Sequence, residues 1–237
     1  MSKENQKDVI LTGVREVDEK LGGGIPLGSL GLIEGHPDAG KSVLCQHLTY
    51  GALISGQMAV AYYTTENTVR SLIEQMDSLS LSTLDYFLTD RLRVYPLTLR
   101  AQLKDTKKRF RYLVEHFLLL PEHFKLLIVD SITLLVAHSN PVPVIDFFWA
   151  CKDLCNAGRS ILLVAHSHAF DLEVLSRISS LCDAHLKLRL EQVGDRFVKI
   201  MEVLKVRGAD RPTGEIVSFE VEPKIGMRII PLAKARV

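Results

Sequence analysis

The sequence has no excess of charge of either sign. Its 237 residues include 29 Lys and Arg against 28 Asp and Glu, which gives a net charge of +1. A balance this even creates no strong overall field that would draw the chain to nucleic acid or to an anionic membrane surface. An apolar content of 47% argues against long disordered segments. The length is that of one domain, which we expect to span residues 1–237.

The chain is also poor in cysteine. Its four cysteines form no C-x-x-C pair and have no zinc-finger spacing. Cys151 and Cys155 are four residues apart, which is the spacing of one helix face. We therefore expect buried, reduced thiols, and these favour a reducing cytoplasm as the location of the protein.

Targeting segments and long apolar runs are missing as well. The start, MSKENQKDVI, is polar and charged, so we expect no secretory signal. The longest apolar stretch, residues 126–137, is too short to cross a bilayer and carries Asp130. There is no internal repeat and no low-complexity tract. These absences favour a globular cytoplasmic protein.

Strand and helix patterns alternate over about the first 180 residues. Apolar, β-branched and aromatic runs predict strands at residues 30–35, 58–66, 92–97, 124–131 and 160–166. Apolar residues at helical spacing predict helices at about 41–55, 67–80, 99–119, 143–157 and 170–181. Past Asp183 polar and apolar residues alternate, with a hairpin-like EQVGDR between two such runs. The sequence therefore predicts an α/β fold with a mostly parallel sheet, helices on both faces and antiparallel C-terminal strands.

The most specific motif is GHPDAGKS, residues 35–42, between a predicted strand and a predicted helix. Its glycine spacing is that of a phosphate-binding loop, in which backbone N–H groups and the helix N-terminus face phosphate oxygens. Lys41 is expected at the β- and γ-phosphates, and the Ser42 hydroxyl at Mg²⁺. Asp38 is compatible with a bound polyphosphate if its side chain points outward. We predict that ATP contacts Gly35, His36, Pro37, Asp38, Ala39, Gly40, Lys41, Ser42 and Val43.

Three further polar residues, Glu66, Asp130 and His166, lie at the carboxyl ends of predicted strands, where the ligands of such sheets bind. Asp130 closes LLIVD and is placed to hold Mg²⁺ through water, although a helix N-cap is the alternative. Glu66 closes VAYYTTE and could orient a water for attack on the γ-phosphate, or serve only the next helix's dipole. His166 and His168 would share one face of a strand, but no third metal ligand is identifiable nearby. We interpret His166 as a polar sensor of the γ-phosphate.

The motifs together resemble a known family. TGVREVDEKLGGGIPLGSLGLIEG, the loop, YYTTEN, LLIVDS and LKVRG occur in the order and spacing of the RecA superfamily. LGGGIPLGS more narrowly resembles the entry segment of its KaiC-like ATPases, and the match runs from about Leu11 to Leu232. The resemblance implies a RecA-like three-layer fold and ring-shaped oligomers, with hexamers expected, that bind ATP between subunits. It also implies that Lys205 and Arg207 of KVRG contact the neighbouring subunit's γ-phosphate and take part in catalysis.

Within this family, the chain is most similar to the accessory ATPases of the archaellum. This resemblance implies three partners: a motor ATPase, a polytopic membrane platform protein and a scaffold ring protein. It also implies a cytoplasmic protein that associates peripherally with the membrane motor complex. The chain departs from the circadian relatives at Asn67, where they carry a second acid after the equivalent of Glu66. We therefore expect ATP to act mainly as a conformational switch, with slow or negligible hydrolysis.

Two other functions compete with this interpretation. A stand-alone signalling ATPase of the KaiC type is the first. A DNA recombinase is the second, but residues 131–151 and 160–176 contain no Lys or Arg for phosphate contacts, so we expect no nucleic-acid partner.

A set of basic residues lies on a predicted helix. We interpret it as a solvated face, with docking of an acidic partner or anionic headgroups as the alternative. This set comprises Arg100, Lys104, Lys107, Lys108, Arg109 and Arg111.

Overall fold

A computed structural model describes residues 8–56, 58–97, 106–137, 139–193, 196–214 and 216–230. The strands in these residues are β1 (Val9–Ile10), β2 (Ile25–Pro26), β3 (Leu30–Gly35), β4 (Ala59–Thr64), β5 (Leu92–Pro96), β6 (Phe124–Asp130), β7 (Ser160–His166), β8 (Ala184–Val193), β9 (Arg196–Val206), β10 (Ile216–Glu222) and β11 (Gly226–Ile229). Nine of these described strands form one sheet in the order β11-β10-β9-β8-β3-β7-β6-β4-β5, and β1 and β2 form a separate pair.

Helices connect the strands of this sheet. They are α1 (Arg15–Lys20), α2 (Lys41–Ile54), α3 (Val69–Ser78), α4 (Leu84–Leu88), α5 (Thr106–Leu119), α6 (Thr133–Val136), α7 (Pro141–Asn156) and α8 (Leu172–Leu181). A single 3₁₀ turn, Ser167–Ala169, follows β7. Within the described ranges, no helix has the length and apolar character needed to cross a membrane.

The strand directions confirm the predicted fold class. Strands β3 to β8 pair in parallel with one another, and β9, β10 and β11 add in antiparallel fashion after β8. The predicted strands and helices are present within a few residues of their expected bounds. The short elements β1, α1, β2, α4 and α6 were not predicted, and the first part of the helix expected from about residue 99 lies outside the described residues.

Two hydrophobic cores cover the two faces of the sheet. Because successive strand residues point to opposite faces, Ile33 and Tyr62 join a core with α2 and α3, whereas Leu32 and Tyr63 join one with α5, α7 and α8. This burial on both sides explains the near-continuous apolar runs of the central strands. All four cysteines are buried and free, as expected.

The register brings the ends of four strands to one edge of the sheet. Gly35, the last residue of β3, is paired with His166, the last residue of β7. Thr64, the last residue of β4, is paired with Asp130, the last residue of β6. Polar residues that are far apart in the sequence are therefore neighbours at the carboxyl edge, where the candidate site lies.

Candidate functional site

The loop between β3 and α2 has a backbone that only certain residues can adopt. Gly40 precedes the first residue of α2 with φ +93°, a left-handed conformation that glycine adopts without strain. Asp38 also has a positive φ, of 57°. At Gly35 the constraint is space, since a Cβ there would lie 2.3 Å from the carbonyl oxygen of Leu188 on β8. The loop therefore requires glycine at both positions for different reasons: backbone conformation at Gly40 and lack of space at Gly35.

The first side chain of α2 folds back over this loop. Lys41 donates a hydrogen bond of 2.6 Å from Nζ to the carbonyl oxygen of His36, and the residue is 6% exposed. Burial lowers the pKa of Lys41, and the nearby carboxylates of Asp130 and Glu66 oppose that change. The ammonium group is thus held at the loop in a partly desolvated place, where its attraction to an anion is stronger than in water.

Asp130 lies at the carboxyl end of β6 and is buried. The hydroxyl of Tyr62 donates a hydrogen bond of 2.8 Å to its Oδ2 atom. Burial raises the pKa of Asp130, while hydrogen bonds from Tyr62 and Ser42 and the charge of Lys41 lower it. The contact with Ser42 joins the two residues that the sequence predicted to serve Mg²⁺.

The segment after β4 is fixed by the hydroxyl of Thr64, which accepts hydrogen bonds from the backbone N–H groups of Glu66 at 3.3 Å and Asn67 at 3.0 Å. The side-chain oxygen of Asn67 accepts a bond of 3.2 Å from Ser71 at the start of α3. Asn67 therefore has a local role at the beginning of a helix. Glu66 faces the cavity described next.

A cavity of about 360 Å³ joins these elements. Of the residues predicted to contact ATP or act on it, nine line this cavity: Pro37, Asp38, Gly40, Lys41, Ser42, Val43, Glu66, Asp130 and His166. Gly35, His36 and Ala39 are not on its wall, although the His36 carbonyl accepts the bond from Lys41. Ser131 and Lys199 also line the cavity, and the sequence analysis did not single out either.

His166 and His168 do not share a strand face as the spacing suggested. The strand ends at His166, and His168 lies in the 3₁₀ turn, with 5.3 Å between the ring centroids. Burial and the charge of Lys41 lower the pKa of His166, which favours a neutral ring beside the cavity. In the part of the chain that the structure describes, no three His, Cys, Asp or Glu side chains are grouped to hold a metal ion.

Lys205 and Arg207 lie away from the cavity of their own chain. Lys205 donates a bond of 2.5 Å to the carbonyl oxygen of Ser179, and Arg207 one of 3.0 Å to that of Ser180. Both acceptors are in the last turn of α8, where free carbonyl groups and the helix dipole favour cations. Neither residue is among those that line the cavity of the phosphate loop.

The basic set of the sequence falls only partly on described residues. Arg100 and Lys104 lie outside them, whereas Lys107, Lys108 and Arg111 are exposed on α5. Arg111 pairs with Glu115 at 3.3 Å on the same exposed face. This arrangement agrees with a solvated helix surface.

The family of the chain follows from comparison with known proteins. The family model described as an ATPase, KaiC, matches residues 10–234. The chain therefore belongs to the KaiC family of ATPases.

Individual relatives within this family place the chain in a narrower group. The chain is 31% identical to the archaeal flagellar ATP-binding protein FlaH of Sulfolobus acidocaldarius, over 96% of this chain and 99% of that protein. It is 32% identical to FlaH of Methanocaldococcus jannaschii, over 90% of this chain and 91% of that protein. These similarities make the chain FlaH-like.

Solved structures agree with the observed architecture. The crystal structure of the flagellar accessory protein FlaH from Methanocaldococcus jannaschii matches with a TM-score of 0.79 and 28% identity, over 95% of this chain and all of that one. A KaiC-like protein from Pyrococcus horikoshii matches with a TM-score of 0.74, and at 16% identity this supports the fold alone. The RecA-like fold expected from the motifs is thus confirmed.

Proposed function

We propose that this chain is an ATP-binding, ring-forming regulatory component of the archaellum motor and assembly complex, folded as one domain over residues 1–237. ATP acts mainly as a conformational switch. The observation that carries the proposal is the cavity at the carboxyl edge, which brings the glycine loop, Lys41, Ser42 and Asp130 together. The names of the relatives, archaeal flagellar ATP-binding proteins, support both the ligand and the cellular system.

The donor set fits magnesium. Mg²⁺ prefers oxygen ligands and is usually bound by one or two protein groups together with phosphate oxygens and water. Ser42 and Asp130 supply such oxygens side by side. The absence of a larger acidic or histidine cluster among the described residues agrees with an ion that arrives with its nucleotide. The metal would neutralise phosphate charge, and Ser42 and Asp130 would hold it in place.

The cavity has more of the groups needed to bind ATP than of those needed to hydrolyse it. Among the residues that line the cavity we assign Glu66 as the base, and the neighbouring Asn67 cannot accept a proton from water. Asp130 is assigned to Mg²⁺ and the neutral ring of His166 to the γ-phosphate. Lys205 and Arg207 bond to α8 of their own chain and do not line its cavity, so we propose that these two residues reach a γ-phosphate only in an adjacent subunit. A positioned base contributes about 10²–10⁴-fold to a rate, and only one of the two neighbouring positions 66 and 67 carries an acid, so bound ATP is expected to persist. A persistent ligand stabilises whichever assembly state binds it more tightly.

The proposed assembly is a hexameric ring that docks on the membrane motor from the cytoplasmic side. Its partners are the archaellum motor ATPase, the membrane platform protein and the scaffold ring protein. Assembly by ATP requires Lys205 and Arg207 to leave the carbonyl groups of α8 and reach the neighbour's nucleotide. The competing interpretation, a stand-alone signalling ATPase, needs no motor partners.

A complementation experiment tests the shared site. Lys41→Ala disables the phosphate loop and keeps Arg207. Arg207→Ala keeps an intact phosphate loop and lacks the arginine. Light scattering with a non-hydrolysable ATP analogue should show that neither variant forms rings alone. An equimolar mixture should restore part of the assembly, because some interfaces then join an intact loop to an intact Arg207. Rings formed by Arg207→Ala alone would contradict a role of Arg207 at the neighbouring subunit's nucleotide.

Pull-down from native membranes tests the proposed partners. It should recover the motor ATPase, and the absence of the motor ATPase would favour the stand-alone signalling ATPase.

A further inference from the structure

Lys199 reaches the cavity of the phosphate loop from the C-terminal part of the sheet. Its Nζ donates a hydrogen bond of 2.5 Å to the main-chain oxygen of Asp38. A Cβ at Gly40 would lie 3.2 Å from Cδ of Lys199 and 3.0 Å from the Phe219 ring. Strand register fixes Lys199 between Leu190 of β8 and Phe219 of β10. The aliphatic stem is therefore held over the loop, and the ammonium group stands at the cavity wall.

Two lysines of the described chain line this cavity, and both are bound to the loop in the same way. Lys41 donates to the carbonyl oxygen of His36 at 2.6 Å, and Lys199 to that of Asp38 at 2.5 Å. Their acceptors are two residues apart, so the two ammonium groups meet one short segment of loop. Each ammonium group has two further N–H donors for a ligand. An ionised phosphate oxygen is a stronger acceptor than a neutral carbonyl oxygen.

The cavity otherwise presents negative charge. Asp38, Glu66 and Asp130 line it, and a polyphosphate adds several more negative charges. Lys41 alone would have to balance these groups until a divalent cation arrives. A second ammonium group within the same wall reduces this repulsion, and its effect is larger the more charge the ligand carries.

We propose that Lys199 is a second phosphate-binding cation, supplied by the same chain, and that it makes the cavity selective for nucleoside triphosphates and diphosphates over monophosphates. This inference rests on the proposed function, and it adds a residue that neither the loop motif nor the contacts between subunits include. On ligand entry the ammonium group exchanges the Asp38 carbonyl for phosphate oxygens.

Two variants separate charge from loop support. Lys199→Gln removes the charge and keeps an N–H donor for Asp38, whereas Lys199→Arg keeps the charge. Lys187→Gln, on neighbouring β8 and outside the cavity wall, is the matched control. Calorimetry with Mg·ATP, Mg·ADP and AMP in 50 mM and 500 mM NaCl gives the affinities, and thermal unfolding gives the stability.

We expect Lys199→Gln to weaken ATP binding about tenfold at low salt and AMP binding less than about twofold. The loss should shrink in high salt, because screening already reduces the attraction that the variant lacks. Lys199→Arg and Lys187→Gln should stay within about twofold of wild type.

Unchanged ATP affinity in Lys199→Gln would overturn the inference and leave ATP binding by the wild type standing. An equal loss for ATP and AMP in Lys199→Gln and Lys199→Arg, together with a lower Tm, would identify a support for the loop and would also overturn it. A wild-type protein that binds no ATP would overturn the proposed function itself, and this inference with it.

Discussion

The hydroxyl of Tyr62 donates a hydrogen bond of 2.8 Å to Oδ2 of Asp130, and both residues lie within the sheet with almost no exposure to solvent. The bond offsets only part of the cost of burying a carboxylate, because burial remains the dominant cause that raises the pKa of Asp130. The carboxylate that we propose to hold Mg²⁺ is thus kept at the expense of stability in the free protein.

Asp130→Asn should therefore stabilise the free protein near neutral pH and weaken Mg·ATP binding. The folded chain binds a proton on Asp130 more readily than the unfolded chain, whose carboxyl has a pKa near 3.8. Wild-type stability consequently falls as pH rises from this value through the raised pKa of the folded state. Urea unfolding from pH 3 to 8 should show a gain in Asp130→Asn that grows with pH and disappears in acid. A variant less stable than wild type at pH 7 would contradict the burial argument.

Lys41→Ala should abolish ATP binding without loss of the fold. Two unit charges 4 Å apart attract by about 4 kcal/mol at an effective dielectric constant of 20, so affinity should fall by at least about a hundredfold. Because burial lowers the pKa of Lys41, its removal relieves a partly desolvated charge, and we expect the Tm of the free protein to be kept. Calorimetry with Mg·ATP measures the loss, and Lys187→Ala serves as the control. Wild-type affinity in Lys41→Ala would refute the loop assignment.

Gly35→Ala should destabilise the protein by about 2–3 kcal/mol, which is the upper part of the usual range for forced overpacking. The new Cβ would lie 2.3 Å from the backbone oxygen of Leu188, an atom held by strand pairing. Gly31→Ala in the same strand is the comparison, since its Cβ would meet the end of the Leu162 side chain at 2.6 Å, which can rotate away. Urea unfolding should rank Gly35→Ala as the more damaging change. The reverse order would show that the backbone of β8 yields more readily than assumed.

Much of this site follows from local sequence patterns. A glycine loop after an apolar run, and acids that close apolar runs, identify Lys41, Ser42, Glu66 and Asp130, because the ends of parallel strands meet at one edge. Lys199 could not be found this way. It lies in an alternating strand where Lys is common, and only the pairing of β9 with β8 and β10 places it over the loop.

The contacts that Lys205 and Arg207 make could not be predicted from the sequence either. KVRG indicated two cations, but their contacts with Ser179 and Ser180 arise from packing between elements that are distant in the sequence. The short helices α4 and α6 contain too few residues for a periodic pattern to predict. Asn67 shows the opposite case, since its bond with Ser71 is local and ordinary for a residue at the start of a helix.

Nucleic-acid binding should be weak. The two segments that follow β6 and β7 at the carboxyl edge, residues 131–151 and 167–176, contain no Lys or Arg. Contacts with phosphate groups, which supply most non-specific affinity, therefore have no donors of the right charge there. Fluorescence anisotropy with labelled single-stranded DNA in 150 mM salt should give a Kd above about 10 μM. Tight binding that weakens steeply with added salt would restore the recombinase interpretation.

The central claim is that ATP acts as a conformational ligand, and phosphate release from the isolated protein tests it most directly. The assay is made with Mg·ATP at protein concentrations expected to form rings, because the proposed function has Lys205 and Arg207 act between subunits. We assign the role of base to Glu66, and no second acid follows it in the chain, so we predict turnover below about one per minute, against about 1–10³ s⁻¹ for typical enzymes. Glu66→Gln should leave ring formation by ATP intact. Turnover of several per second that is lost in Glu66→Gln would show a working motor and contradict the account.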